Sequence, residues 1–250
     1  MDRHLTNSNL SEFFVSKRIL ITGSSGSIGS EIADSFFRKG FSVFGIDKTE
    51  ARNLSFQFIG NLENDKDFEN SKKWLRDVSR YFDVLINCVG ITRQMENNFD
   101  EDNFKANIRV NLEAPFSYCG IAINKAITET RPLSIINVTS LGAHQGFPLN
   151  PSYQISKAGL GQLTRSICVD YGKYGIRANN IVPGYIRTSM TEKSFNDTLA
   201  NQKRAERAAL KRWGKTSDLV GAVHFLASEE SAFVAGIDLF VDGGWNINGL

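Results

Sequence analysis

The chain has 250 residues, 41% of them hydrophobic and 22% charged, an ordinary globular balance for one large domain or two small ones. Its 29 basic and 27 acidic residues leave a net charge of +2, which excludes the dominant basic face of a nucleic-acid binder. Cys88, Cys119 and Cys168 show neither disulfide nor zinc spacing and the histidines form no ligand pair, so no metal is expected; no apolar run approaches the roughly 18 residues of a membrane span.

In chain order, Met1 to Lys17 is polar and carries no apolar signal segment, which together with the cysteine usage points to a reducing cytoplasm. Arg18 to Thr22 is a short β-branched apolar run that ends at glycine and predicts a buried strand. Ser27 to Lys39 repeats apolar residues at helical spacing (Ile28, Ile32, Phe36, Phe37) and stops at Gly40. Strands are expected at 41–46, closed by Asp47, and at 54–59. A helix at 65–80 turns Phe68, Trp74, Leu75 and Val78 inward, and a strand follows at 84–87. Next come a helix from about 102 to 128, a strand at 133–138, a long helix at 152–171 and a strand at 176–182 stopped by Pro183-Gly184. A helix at 216–227 and a strand at 237–241 close the chain.

This alternation predicts an α/β fold, a parallel sheet of about seven strands with helices on both faces, in one domain spanning 1–250. Residues 1–16 read as loosely held, and 190–210, polar and weakly periodic, as a mobile substrate lid. Lys203, Arg204, Arg207, Lys211 and Arg212 read as the solvated face of a helix. Cys88 and Cys168 read as small core residues.

Thr22-Gly23-Ser24-Ser25-Gly26-Ser27-Ile28-Gly29 joins the first strand to the first helix. Its glycines allow a tight turn and close approach to a pyrophosphate, and the helix N-terminus adds unpaired N–H groups and partial positive charge. Asp47, ending the second strand, is suited to take the hydrogens of an adenosine ribose diol and to repel a 2′-phosphate, which favours NAD over NADP; Lys48 beside it pulls the other way. Tyr153 and Lys157, four apart in a helical segment, share one face. A cation beside a phenol favours the phenolate and lowers a pKa of about 10, which makes Tyr153 a candidate general acid/base tuned by Lys157. Ser140, thirteen residues earlier, is suited to hold the same substrate oxygen.

With these residues in view, the chain resembles the short-chain dehydrogenase/reductase family from roughly Lys17 to Trp245. The resemblance is carried by the glycine loop, Asn87-Cys88-Val89-Gly90, Asn111, Ser140, Tyr153 with Lys157, Pro183-Gly184 through Thr188, and Val241-Asp242-Gly243-Gly244. It implies a Rossmann-like three-layer sandwich, a small-molecule substrate, and a homotetramer packed through the helices at about 102–128 and 152–171. Leu160, Leu163, Ile167 and the segment 245–250 would be partly buried between copies. It implies Tyr153 as general acid/base, Lys157 as its tuner and holder of the nicotinamide ribose, Ser140 as the residue orienting the carbonyl, and Asn111 as anchor of a relay water. It implies cofactor contacts from Gly23, Ser25, Ser27, Ile28 and Gly29, an adenine wall from Asn61 and Leu62, and backbone and ribose contacts from Asn87 and Gly90. Pro183, Gly184, Ile186 and Thr188 complete the set, the last two gripping the carboxamide. Two departures stand out: the loop glycines fall at 23, 26 and 29 rather than in the Gly-x-x-x-Gly-x-Gly spacing of compact members, and Cys88-Val89 replaces Asn-Ala.

Gly90-Ile91-Thr92-Arg93 and the stretch from Lys211 to Trp245 resemble the family's sugar-acid dehydrogenases, those of gluconate-type substrates. Arg93 is a candidate bidentate carboxylate binder or else a surface arginine, His144 a candidate at the pocket mouth or a plain loop residue, and Tyr185 a pocket wall. The activity expected is NAD(H)-dependent hydride transfer to or from a secondary alcohol or ketone of a sugar or sugar acid. A 3-oxoacyl thioester reductase and a non-catalytic dinucleotide sensor are the alternatives, the second opposed by the intact Asn111, Ser140, Tyr153 and Lys157.

Overall fold

The computed structural model describes residues 17–93 and 99–249; the expected loose segment at 1–16 and the terminal Leu250 lie outside them. Strands β1 (Arg18–Thr22), β2 (Ser42–Asp47), β3 (Phe56–Ile59), β4 (Val84–Asn87), β5 (Leu133–Val138), β6 (Ile176–Pro183) and β7 (Asp238–Val241) form one sheet in the order β3-β2-β1-β4-β5-β6-β7. All pairings are parallel. Strand order reverses between β1 and β4, where Thr22 pairs in register with Asn87. The chains leaving these strands therefore diverge and open a crevice at their carboxyl ends, the place where open α/β sheets bind ligands.

Helices α1 (Ser27–Phe37) and α8 (Ser217–Ala227) cover one face; α2 (Asp65–Asp77), α4 (Ala114–Thr128) and α5 (Pro151–Tyr171) cover the other. Successive strand residues point to opposite faces, so each strand feeds two cores. Ile19 and Ile21 pack with Ile32, Phe36, Leu219 and Val223, whereas Leu20 packs with Phe68, Leu75, Tyr118 and Ile167. Burial on both faces is why β1 and β4 read as unbroken apolar runs.

A row of polar side chains crosses the sheet. Asn87, Asn137, Asn180 and Asp238 are register partners on β4 to β7. Asn87 donates to Asn137 at 2.8 Å, Asn137 donates to the Thr164 hydroxyl of α5 at 2.8 Å, Thr164 donates to Asn180 at 2.6 Å, and Asn180 donates to Asp238 at 2.6 Å. Burying polar groups costs free energy unless they are paired, and this row pairs nearly all of its own.

Three expectations are corrected and the make-up of a fourth segment is defined. The helix at 102–128 is two helices, α3 (Glu101–Ile108) and α4, joined by a π-helical turn at Arg109–Glu113 that Arg109 braces by bonding Asp65 and Glu113, each at 2.7 Å. The segment 190–210, expected as a lid, contains α6 (Glu192–Asn196) and α7 (Thr198–Arg207), the latter capped by the Asp197 carboxylate, which accepts the Ala200 N–H at 3.0 Å. Leu160 and Ile167 are buried in the protomer's own core, Leu163 packs against it and Trp245 is buried, because that side of α5 faces the sheet and Trp245 fills a satellite cluster. The exposed apolar side chains on α4 and α5 are instead Phe116, Ile155 and Val169. Finally, β3 and α2 are shorter than expected, starting at Phe56 and ending at Asp77. Among the described residues no helix is long and apolar enough to cross a membrane.

Candidate active site

The glycine loop is built so that no side chain fits in its floor. Gly23 has φ +73°, and a Cβ there would fall 2.7 Å from the Val89 nitrogen; a Cβ on Gly29 would fall 2.0 Å from the Gly23 oxygen. No side chain caps α1 and no acid stands in its first turn, so its N-terminal N–H groups are left to an anion. Asp47 lies beneath the loop, buried, accepting the Ser25 N–H at 2.9 Å and the Lys48 N–H at 2.6 Å, one on each oxygen. A side-chain-free cradle, an uncapped helix start and a carboxylate at the β2 end fit the pyrophosphate and ribose of a dinucleotide. Ser27 reaches across to the backbone N–H of Ser189 at 3.2 Å, and Asn61 is exposed, its N–H held by Asp67. Leu62 is a correction: its side chain is 4% exposed inside the core, because the turn before α2 folds it under the sheet rather than into the crevice.

The crevice holds a cleft of about 730 Å³ lined by Ser140, Tyr153 and Lys157. Ser140 follows β5, its hydroxyl accepting the Gly142 N–H at 3.1 Å. Tyr153 and Lys157 come from the first turns of α5, which Pro151 starts. Lys157 donates to the Val138 carbonyl at 2.8 Å and stands 5.9 Å from the centre of the Tyr153 ring. Burial lowers Lys157 from its ordinary value to about 8. Burial raises Tyr153; a hydrogen bond from Ser140 opposes this, and the Cys88 thiol adds to it. Among the causes that act on the phenol here, Ser140 is the one that favours the phenolate; Lys157, four residues on, gives one of its three N–H donors to Val138. Cys88 lines the cleft, but burial pushes its thiol up to about 12, so it is no nucleophile.

Asn111 sits in the π-helical turn with its amide fully engaged. It accepts the Ile91 N–H, and its two amide hydrogens are shared among the Ile91 carbonyl, Asn107 and Ser156. Asn87 is buried and its Oδ1 has no hydrogen-bond partner among the described residues, while Gly90 lies against Lys157, its Cβ position 3.3 Å from Nζ. Ile28, Gly90, Pro183, Gly184, Ile186 and Thr188 line the cleft as expected. Gly184 must be glycine because a Cβ would fall 2.6 Å from the Asp242 Cα. Tyr185 forms a wall with Trp213 and Trp245, ring centres 5.4 and 5.5 Å away.

Two substrate candidates are not brought to the cleft. Arg93 turns one guanidinium nitrogen, Nη2, to both oxygens of Glu63, at 2.8 and 2.6 Å, and does not line the cleft. His144 is exposed and packs on Phe240 at 5.0 Å, outside the cleft lining. Three residues that sequence reasoning missed do line it: Asn150, Ser194 and Arg204. Arg204 stood in the cluster read as solvated, yet Ala200, Arg204 and Ala208 recur at helical spacing, and that small-residue line marks the packed side of α7.

A family model described as enoyl-(acyl carrier protein) reductase matches residues 23–246. The 2-dehydro-3-deoxy-D-gluconate 5-dehydrogenase of Bacillus subtilis (strain 168) is 32% identical over 240 residues, covering 92% of this chain and 94% of that one. A 3-oxoacyl-[acyl-carrier-protein] reductase of Chlamydia trachomatis is 31% identical over 250 residues, covering 94% and 99%. Among solved structures, 4-hydroxyisoleucine dehydrogenase complexed with NADH superposes with a TM-score of 0.86 at 29% identity, over 92% of this chain and 98% of that one. A gluconate 5-dehydrogenase from Burkholderia cenocepacia, in complex with NADP and tartrate, gives 0.84 at 28% identity, over 96% and 99%. The likeness runs the length of the described fold and includes the elements that carry the glycine loop and the Ser140–Tyr153–Lys157 cleft. The chain belongs to the short-chain dehydrogenase/reductase family and is an NAD(P)-dependent oxidoreductase.

Proposed function

We propose that the protein interconverts a secondary alcohol and a ketone on a sugar acid, using NAD(H) in preference to NADP(H). One observation carries the substrate reading. Asn150 Oδ1, Ser194 Oγ and Arg204 Nη1 are buried without a hydrogen-bond partner among the described residues, and all three belong to residues lining the cleft of Tyr153. Buried polar groups are rarely left unpaired, so such a set asks for a ligand rich in hydroxyls and bearing negative charge. The relatives named for deoxy-ketogluconate and gluconate, and the tartrate held by one of them, support the same class.

In this reading the Tyr153 oxygen gives a proton to the ketone or takes one from the alcohol, and Ser140 holds the same oxygen. Lys157, cationic and buried, holds the nicotinamide ribose beside Gly90. The nicotinamide, when bound, supplies or receives the hydride. The preference for NAD(H) rests on Asp47. Each of its oxygens accepts one backbone N–H and keeps a lone pair for a ribose hydroxyl, and its charge opposes a 2′-phosphate.

A panel of aldonates, neutral polyols and 3-oxoacyl thioesters, run with each cofactor at the nicotinamide absorbance, tests the reading. Turnover of an aldonate or its keto acid with NAD(H) is the expected result. Turnover of thioesters alone would replace the sugar acid with an acyl carrier substrate, and tighter NADP(H) binding in a fluorescence titration would make Lys48, not Asp47, the deciding residue.

A further inference from the structure

We infer that Arg204, on α7, is the residue that recognises the negative charge of the substrate. The inference rests on the sugar-acid reading of this cleft and assigns its anion site to a residue outside the loop that follows β4.

The other cations near the cleft bond within the protein, stack on a ring or face water. Arg93 is held by Glu63, Lys157 donates to Val138, and Arg187 stacks on Phe195 at 4.4 Å. Arg207 lies over Trp245 at 3.9 Å and is exposed, and Lys193 lines the cleft but is exposed to water. Arg204 differs from all of these. Its Nη1 is buried and has no hydrogen-bond partner among the described residues. A guanidinium is always charged, so an unpartnered buried N–H on it is costly and is relieved by an anion.

Its orientation is fixed by stacking. The guanidinium carbon lies 4.6 Å above the Tyr185 ring and 5.8 Å from the Trp213 ring. An arginine laid on an aromatic face keeps its N–H groups at the edge, in the plane in which a carboxylate docks. The acid nearest in sequence on the same face is Asp197, which lines the cleft but forms no ion pair with Arg204, and its Oδ1 caps α7 by accepting the Ala200 N–H. Ser194, two residues past the start of α6, supplies a second buried and unpartnered hydroxyl to the same cleft. A carboxylate between Arg204 and Ser194 satisfies both, and places the charged end of the substrate against α6 and α7 with the reacting carbon left for Tyr153.

The test compares D-gluconate with the neutral polyol D-sorbitol on wild-type protein, Arg204→Gln and Arg204→Lys. Losing a charge-assisted hydrogen bond corresponds to about 10- to 100-fold in affinity. Arg204→Gln is therefore expected to raise the KM for gluconate by about that factor with little change in kcat, and to leave sorbitol within about twofold; Arg204→Lys should recover part of the loss. Equal effects on both compounds would overturn the inference while leaving the sugar-acid reading intact. Should Arg204→Gln misfold, Arg204→Lys decides, since it keeps the charge but not the planar fork. A second readout does not need turnover. Gluconate is titrated into protein saturated with NADH while tryptophan fluorescence is followed, Trp213 being adjacent. A saturable, salt-sensitive signal in wild type that is lost in Arg204→Gln supports the anion site even if no sugar acid is turned over, the outcome that would sink the proposed substrate. The same signal in both proteins, or none in wild type, overturns it.

Discussion

Asn111 holds both backbone polar groups of Ile91, accepting its N–H at 2.8 Å and donating to its carbonyl at 3.0 Å. The loop after β4 is thereby clamped to the π-helical turn, and Gly90, one residue earlier, is kept against Lys157. Replacing Asn111 by leucine strands two backbone groups, each worth roughly 1–3 kcal/mol when left unpaired. The expected loss is about 2–6 kcal/mol, read from urea unfolding. A loss below about 1 kcal/mol would mean that the loop is held by other means.

Tyr153→Phe removes the only proton-carrying atom of the ring and leaves its volume. Turnover should fall by about 10²- to 10⁴-fold while the dissociation constant for NADH changes little. Because burial raises the phenol, alcohol oxidation, which needs the phenolate, should still be climbing at alkaline pH. Ketone reduction, which needs the phenol, should hold its rate into the same range. An oxidation profile that is flat through neutral pH would contradict this.

Lys157 makes stability depend on pH with a definite sign. Its folded value of about 8 lies below the ordinary 10.5. Between the two, the unfolded chain carries a proton that the folded chain has released, so the contribution of this group to stability rises with pH across that window and is constant below it. Wild type and Lys157→Met are to be unfolded in urea at about pH 7.5 and about pH 9.5. The wild type should gain relative to the variant at the higher value. A difference that does not move with pH would place the Lys157 titration elsewhere.

The expected homotetramer is to be joined through the exposed Phe116 of α4 and Ile155 and Val169 of α5. Light scattering at micromolar concentration should report four copies for wild type and a smaller species for Phe116→Glu. A wild-type monomer refutes the assembly, and a Phe116→Glu tetramer refutes the surface.

The seven strands and the grouping of Ser140, Tyr153 and Lys157 were legible because each rests on local pattern or on the resemblance: apolar runs for buried strands, glycines where no Cβ fits, i to i+4 spacing for one helix face. The π-helical turn was not, since Phe104 and Tyr118 keep helical periodicity on either side of it and one extra residue per turn leaves no mark on composition. Charge partners were equally hidden. Arg93 and Arg204 look alike in sequence; only the fold reveals that Glu63 reaches one and that, among the described residues, no carboxylate pairs with the other. The raised Tyr153 phenol was hidden too, because burial, its largest cause, depends on what packs around the ring and not on the spacing to Lys157.

Thr164 lies seven residues beyond Lys157, two turns along the same side of α5. By gripping Asn137 and Asn180 from that side it keys the roll of the helix about its own axis to the register of the sheet. The aim of Tyr153 is therefore calibrated from beneath the sheet, by a hydroxyl that no substrate touches. A strand that slipped by one residue would turn its asparagine to the opposite face, and the anchor of the helix would go together with the core packing.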